Sequence, residues 1–131
     1  MGDLPQMNTD EHGLEAVCET IIGAAFQVSN TLGAGFLEKV YENALAHELR
    51  KSGPQVAQQY SVKVMYDGIV AGEYVADLLI AGSVIIELKC VKHVEDIHLA
   101  QCLNYLRATG IRRGLLLNFY YPKVGIKRVS L

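Results

Sequence analysis

The chain has 131 residues, half of them hydrophobic, and a formal net charge of -2 at pH 7. This length suits a single domain with one core, residues 1–131, and the apolar content excludes global disorder. The near-neutral charge argues against a strongly electrostatic nucleic-acid binder, although a local basic face is compatible with it. Three cysteines without CxxC spacing indicate neither a disulfide framework nor a zinc or iron-sulfur site.

The N-terminal stretch MGDLPQMNTDEH, residues 1–12, is polar and shows no periodicity. We expect a loose leader there, because nothing in it specifies packing. It lacks the basic and then apolar pattern of a signal peptide, and elsewhere charged residues interrupt every apolar run before the roughly 20 residues that a membrane helix needs. A cytoplasmic protein without membrane contact is therefore expected.

Two helices are predicted in the first part of the chain. Apolar residues recur at helical spacing over residues 14–32, and the sequence GAG at positions 33–35 ends that helix. A second helix is predicted over residues 36–51, where SGP follows. Glu38 would lie beside the apolar stripe of this helix, in its second turn.

The middle of the chain changes to the two-residue period of strands. QQYSVKVMY alternates, DG at positions 67–68 is a strong hairpin turn signal, and two further extended runs follow, which predicts three antiparallel strands. A helix over residues 96–109 with Asp96 as its cap, a buried strand GLLLNFYY and a short edge strand GIKRVSL complete the order. This order predicts an α/β fold in which a mixed central sheet is flanked by helices.

The most apolar segment, residues 74–90 (YVADLLIAGSVIIELKC), carries three charged residues. These are Asp77, Glu87 and Lys89. Since side chains alternate along a strand, Glu87 and Lys89 share one face, whereas Cys90 points to the other.

The turn between the two strands of this segment determines how the acids meet. If residues 81–83 form it, Ile80 lies opposite Val84, and the same register places Asp77 opposite Glu87. A two-residue turn would make their contact diagonal but still close. The sequence therefore predicts two neighbouring carboxylates.

Two such carboxylates repel each other by up to about 1 kcal/mol when solvated and by more when partly buried. A magnesium ion would offset that repulsion, because it prefers oxygen ligands and is commonly held by one or two carboxylates. Lys89 could then orient the attacking water and stabilise charge on a phosphoryl group. The other interpretation is an ionic cluster in which Lys89 alone neutralises the pair, and the hairpin by itself does not decide between them.

The helix that follows carries QCLNY, which places Gln101 and Tyr105 four residues apart on one face. The series Asp77, Glu87-x-Lys89 and Gln101-x-x-x-Tyr105, in a strand, strand and helix, resembles the PD-(D/E)xK nuclease superfamily and its RecB-like branch. Ala76 stands where that motif often has proline. Upstream, GFLEKVY resembles the signature of the GxxExxY protein family, and this resemblance extends from about residue 14 to the C-terminus.

The resemblance implies a restriction-endonuclease-like core and a divalent metal, Mg²⁺ or Mn²⁺. Asp77, Glu87 and the carbonyl of Leu88 would bind the metal, and Lys89 would be the catalytic lysine. Glu38 would be an accessory acid that binds a second metal or its water shell.

Three further residues of the motifs have supporting or substrate-binding roles by this resemblance: Gln101, Tyr105 and Tyr41. Each also has a simpler interpretation. Tyr41 suits a core aromatic whose hydroxyl needs a partner, and Gln101 and Tyr105 could satisfy each other or nearby backbone.

The function predicted from these residues is metal-dependent hydrolysis of phosphodiester bonds in nucleic acid, with DNA as the expected partner. The main alternative is a non-catalytic nucleic-acid-binding or interaction module that retains the nuclease fold. A third is a structural ion cluster in a small homodimer.

Overall fold

The first helix begins earlier than its apolar periodicity predicts. The computed structural model describes residues 10–131. Residues 1–9 of the leader expected at residues 1–12 therefore lie outside the described residues. Helix α1 spans Glu11–Leu32, because the Asp10 carboxylate accepts a hydrogen bond from the Gly13 N–H and caps the first turn.

The second helix, α2, begins two residues later than predicted and spans Glu38–Ser52. The preceding loop contains Gly33 and Gly35, with φ angles of 70° and 108° that favour glycine. Glu38 is therefore the first residue of the helix and lies in its first turn rather than its second, where an acid is favoured by the helix dipole.

The rest of the chain supplies a five-stranded sheet and a third helix. The elements are β1 (Val56–Tyr66), β2 (Ile69–Ile80), β3 (Val84–Lys89), α3 (Asp96–Thr109), β4 (Arg113–Asn118) and β5 (Gly125–Ser130). The strands lie in chain order, and all neighbours are antiparallel except β3 and β4, which α3 connects in parallel. The predicted α/β fold with a mixed central sheet is confirmed.

Helices cover both faces of the sheet. Buried residues of α1 and α2 pack with one face in the larger core cluster, which includes Ile21, Leu45 and Ile86. Tyr105 and Leu106 of α3 pack with the other face in a smaller cluster. Among the described residues, no helix combines the length and apolar character that a membrane crossing requires.

Strand β2 changes faces at Asp77. Leu78 packs in the larger cluster, whereas Ala76, two residues earlier, packs in the smaller one under α3. Residues two apart in a regular strand point to the same face, so the alternation breaks between them. In β1, Gln59 lies across from this point with a φ of 55°, and the β1–β2 ladder has no pair there. This break takes Asp77 out of the regular ladder and leaves it available to β3.

Two predicted ends were wrong. Helix α3 takes Glu95 as its N-cap rather than Asp96, and the Glu95 N–H donates to His98 Nδ1. Strand β4 ends at Asn118, although the apolar run continues to Tyr121. The chain leaves the sheet there, since the Tyr120 N–H donates to the Asn118 side chain and not to another strand.

Candidate active site

The hairpin of β2 and β3 brings Asp77 and Glu87 together. Ile80 lies opposite Val84, as the three-residue turn predicts, and the ladder continues to Leu78. Beyond Leu78, carboxylate oxygens accept the backbone N–H groups of the two strands in place of carbonyl oxygens. The Asp77 N–H donates to Glu87 Oε2 at 3.1 Å, and the Leu88 N–H donates to Asp77 Oδ2 at 2.8 Å.

The two acids lie where charge is disfavoured. Glu87 is only 6% exposed, and burial, followed by the charge of Asp77, raises its pKa to about 8. Burial also raises the pKa of Asp77, with smaller contributions from Glu42 and Glu38, against the opposing effect of the Leu88 N–H. Desolvation and like charge are both relieved by a cation.

Lys89 does not neutralise the pair by direct contact. Its charge lowers the pKa of both Asp77 and Glu87, but burial outweighs it in each case. Within residues 10–131, Lys89 forms no ion pair with either carboxylate. This geometry weakens the interpretation in which Lys89 alone balances the two acids.

The backbone around Lys89 is fixed by β4. The Lys89 carbonyl accepts a hydrogen bond from the Phe119 N–H at 2.8 Å. Alternate residues of a strand bond to opposite neighbours, so the N–H and C=O of Leu88 face β2, and the Leu88 N–H does bond to Asp77. The Leu88 carbonyl is thereby directed to the same side as the Asp77 carboxylate.

Asn118 is a supporting residue that no motif in the sequence indicates. It is buried, its Nδ2 donates to the Val91 carbonyl, and its Oδ1 accepts from the Val91 N–H. These bonds anchor the segment that leaves β3 just after Lys89. The only signal in the sequence is a polar residue in the apolar run GLLLNF.

Glu38 reaches the same end of β3 from the start of α2. Its Oε2 accepts a hydrogen bond from the Cys90 N–H at 3.2 Å. Its charge adds to the rise in the pKa of Asp77 and of Glu87, although burial is the main cause for both.

Tyr41 holds the loop that leads to Glu38. It is fully buried, its hydroxyl donates to the Gly33 carbonyl at 2.7 Å and accepts from the Phe36 N–H at 3.2 Å, and its ring stacks on Phe119. Burial excludes contact with a substrate. Tyr41 was predicted either to support the site or to bind substrate, and this geometry is compatible only with support.

Glu42 is a second buried residue that the sequence did not single out. It is 4% exposed, pairs with Lys39, and accepts hydrogen bonds from the side-chain amides of Gln58 and Gln59. It thus ties α2 to the point where β1 and β2 change faces, beside Asp77. The two glutamines are distant in sequence, so helical periodicity alone could not reveal the contact.

Tyr105 and Gln101 approach the site from α3. Tyr105 is buried and packs with Ala76, the residue before Asp77, and burial together with the charges of Glu87 and Asp77 raises its pKa to about 12. Gln101 is half-buried and lines a groove beside Tyr105. In the described part of the chain, neither side chain hydrogen-bonds to Asp77 or Glu87.

The donor atoms fit a hard divalent cation. Asp77 and Glu87 each use one oxygen for a backbone N–H, which leaves the other oxygen for a ligand, and the Leu88 carbonyl lies alongside. No three His, Cys, Asp or Glu side chains among residues 10–131 are grouped as metal ligands. Glu38 likewise uses one oxygen, Oε2, for the Cys90 N–H, and its predicted role toward a second metal or its water shell stays a prediction.

Comparisons with known proteins address the family and the fold of the chain. A sequence profile described as PD-(D/E)XK nuclease superfamily matches residues 15–129. No curated protein matches the chain at a significant level.

Two solved structures are similar to the chain. The crystal structure of SSO0001 is similar with a TM-score of 0.53 and 17% identity, over 70% of this chain and 48% of SSO0001, so the chain spans about half the length of that protein. An alkaline exonuclease from Laribacter hongkongensis is similar with a TM-score of 0.48 and 12% identity, over 88% of this chain and 81% of the exonuclease. Because the profile match covers most of its length, the chain belongs to the PD-(D/E)XK nuclease superfamily.

Proposed function

We propose that the chain is a divalent-metal-dependent nuclease that hydrolyses phosphodiester bonds in DNA, with residues 1–131 as one catalytic domain. The observation that carries the proposal is the hydrogen-bonded pair of half-buried Asp77 and buried Glu87, with which no lysine among residues 10–131 forms an ion pair. Membership of a nuclease superfamily supports the same chemistry in general.

Each residue of the site has a role in this proposal. Asp77, Glu87 and the Leu88 carbonyl would hold Mg²⁺ or Mn²⁺. The bound cation would supply a water nucleophile of lowered pKa and would polarise the phosphoryl group. The Lys89 ammonium, on the same strand face as Glu87, would stabilise the charge that develops on the phosphoryl oxygens. Glu38 would hold ordered water at the edge of the site.

We further propose that the chain is a GxxExxY protein within the RecB-like branch of the superfamily. Gly35, Glu38 and Tyr41 support this assignment, since each has a distinct role in one local structure. Gly35 has a φ of 108°, Glu38 bonds to the end of β3, and Tyr41 anchors the intervening loop. Gln101 and Tyr105, four residues apart on α3, both line one groove, and the charge of Glu87 contributes to the raised pKa of Tyr105; both observations support the RecB-like assignment.

A cleavage assay tests the proposal. Plasmid DNA, single-stranded DNA and RNA would be incubated with the wild type in Mg²⁺ or Mn²⁺, beside Lys89→Ala and Asp77→Asn. Lys92→Ala is a matched control, because Lys92 is exposed in the segment that follows β3. We expect metal-dependent DNA cleavage by the wild type and Lys92→Ala, and a loss of at least about a hundredfold in the two site variants.

Two outcomes would contradict the proposal. Equal cleavage by all proteins would mean that a contaminant cuts the DNA. Metal-dependent thermal stabilisation and DNA binding without cleavage would favour a binding module that retains the nuclease fold.

A further inference from the structure

A groove runs beside the candidate active site, between α3 and the β1–β2 hairpin. Its volume is about 680 Å³, and its lining includes Met65, Tyr74, Gln101, Asn104, Tyr105 and Arg107. We call it the α3–hairpin groove. Its size and mixture of apolar walls with a few polar groups are typical of a ligand site.

The groove approaches the candidate active site at Tyr105. This residue lines the groove and packs in the smaller core cluster with Ala76, the residue that precedes Asp77. A strand whose phosphate lies at the two acids would therefore place a neighbouring nucleotide at the groove.

Tyr74 supplies an aromatic surface within the groove. It is 50% exposed, and its ring contacts Tyr105 at a centroid distance of 5.9 Å in a tilted arrangement. Tyr105 is almost fully buried and supports the Tyr74 ring, which leaves part of Tyr74 open. A supported, half-exposed aromatic ring is the platform on which proteins stack nucleobases.

Polar groups on α3 complement a sugar-phosphate backbone. Arg107 lines the groove and is exposed, and its Nη1 donates to Asn104 Oδ1 at 3.1 Å, which orients the guanidinium. A guanidinium in this position can pair with a phosphate of a strand whose base lies on Tyr74.

We propose that the α3–hairpin groove binds an unpaired nucleobase next to the scissile phosphate, so that the substrate is single-stranded nucleic acid. This inference rests on the proposed nuclease function and names its substrate class. In a duplex each base is covered on both faces by its neighbours, whereas a base of a single strand can present a face to Tyr74. Arg107 would hold the adjoining phosphate.

Binding rather than cleavage is the suitable measurement, because it keeps the two proposals separable. The full chain with Lys89→Ala would be titrated against fluorescent single-stranded oligothymidylate of about 10 nucleotides, in the size range of single-strand sites. The same measurement would use the matched duplex, oligouridylate, and an abasic single strand. Tyr74→Ala and Tyr74→Phe would be added on the Lys89→Ala background.

The matched control is Tyr66→Ala. Tyr66 lies on the same hairpin and is 73% exposed, but it does not line the groove. We expect Tyr74→Ala to weaken binding of both single strands about tenfold or more, since stacking contributes that much per base. Tyr74→Phe and Tyr66→Ala should bind as the parent does, and the abasic strand should bind equally weakly to the parent and to Tyr74→Ala.

Arg107→Ala provides a second measurement. It should reduce the salt dependence of single-strand binding by about one phosphate contact, whereas Arg112→Ala, outside the groove, should not.

Three results would overturn the inference. These are equal binding by Tyr74→Ala and Tyr66→Ala, an equal loss with the abasic strand, or a duplex bound as tightly as the single strand. An inactive wild type in the cleavage assay would overturn the nuclease proposal. The binding measurements would still test, independently, whether the groove binds an unpaired nucleobase.

Discussion

The backbone N–H of Asp77 donates to the Glu87 carboxylate at 3.1 Å, at the point where the β2–β3 ladder ends. The bond holds the two acids close together, with Glu87 buried and Asp77 half-buried. Because burial and the charge of Asp77 raise the Glu87 pKa to about 8, the protein without metal holds a proton there at neutral pH. A divalent cation would replace that proton and satisfy both acids.

The raised pKa predicts how stability depends on pH. Free glutamate titrates near 4.5, so the folded state binds more protons than the unfolded state between that pH and about 8. Stability without metal should therefore fall as pH rises through this window. Glu87→Gln removes the effect and should be more stable than the wild type by at least about 1 kcal/mol at alkaline pH.

Urea unfolding with a chelator, at about pH 5 and about pH 8.5, on either side of the window, measures this difference. Glu19→Gln is the control, because Glu19 is exposed on α1. If the stability of Glu87→Gln and of Glu19→Gln depended on pH in the same way, the Glu87 pKa would not be raised.

The same pKa predicts how metal affinity depends on pH. Since the ligands must lose their protons, the affinity for Mn²⁺ should rise by up to about tenfold per pH unit below pH 8 and then level off. Thermal stabilisation as a function of Mn²⁺ concentration, repeated across this range, measures the change. An affinity independent of pH would mean that the cation binds elsewhere.

Tyr41→Phe tests the loop that positions Glu38. It removes a hydroxyl bonded to the Gly33 carbonyl and the Phe36 N–H, so we expect about 1–3 kcal/mol of lost stability. Cleavage should also fall, because Glu38 follows this loop directly. Tyr66→Phe, at an exposed site, should change neither urea unfolding nor cleavage rate. If Tyr41→Phe kept full activity and stability, Tyr41 would not support the loop that leads to Glu38.

Gly114→Ala tests the packing of α3 on the sheet. A Cβ at Gly114 would lie 2.9 Å from Cys102 Sγ, so we expect a loss of about 1–3 kcal/mol from overpacking. Cys102→Ala in the same protein should restore part of the loss. Gly23→Ala, in open space on α1, should stabilise the protein by up to about 1 kcal/mol. Urea unfolding of these variants gives the comparison, and a neutral Gly114→Ala would contradict the close contact.

Much of the fold follows from local signals. Helical and two-residue periodicities predict the order of the elements, and the turn at residues 81–83 predicts the pairing of Ile80 with Val84. That register alone places Asp77 near Glu87. The sequence was therefore sufficient where a feature depends on a few adjacent residues.

Features that depend on distant contacts could not be predicted. The change of faces at Asp77 coincides with the left-handed conformation of Gln59 on another strand, and Glu42 is buried by side chains from β1. Likewise, Tyr74 becomes a groove residue only because α3 packs beside the hairpin. None of these relationships has a period or a motif in the sequence.

The most direct test of the account is a calorimetric titration of Mn²⁺ into the wild type and Asp77→Asn at about pH 8, where Glu87 is losing its proton. We predict that the wild type binds Mn²⁺ at the acid pair and that Asp77→Asn loses at least about tenfold in affinity. Identical binding by the two proteins would contradict a metal site at Asp77 and Glu87.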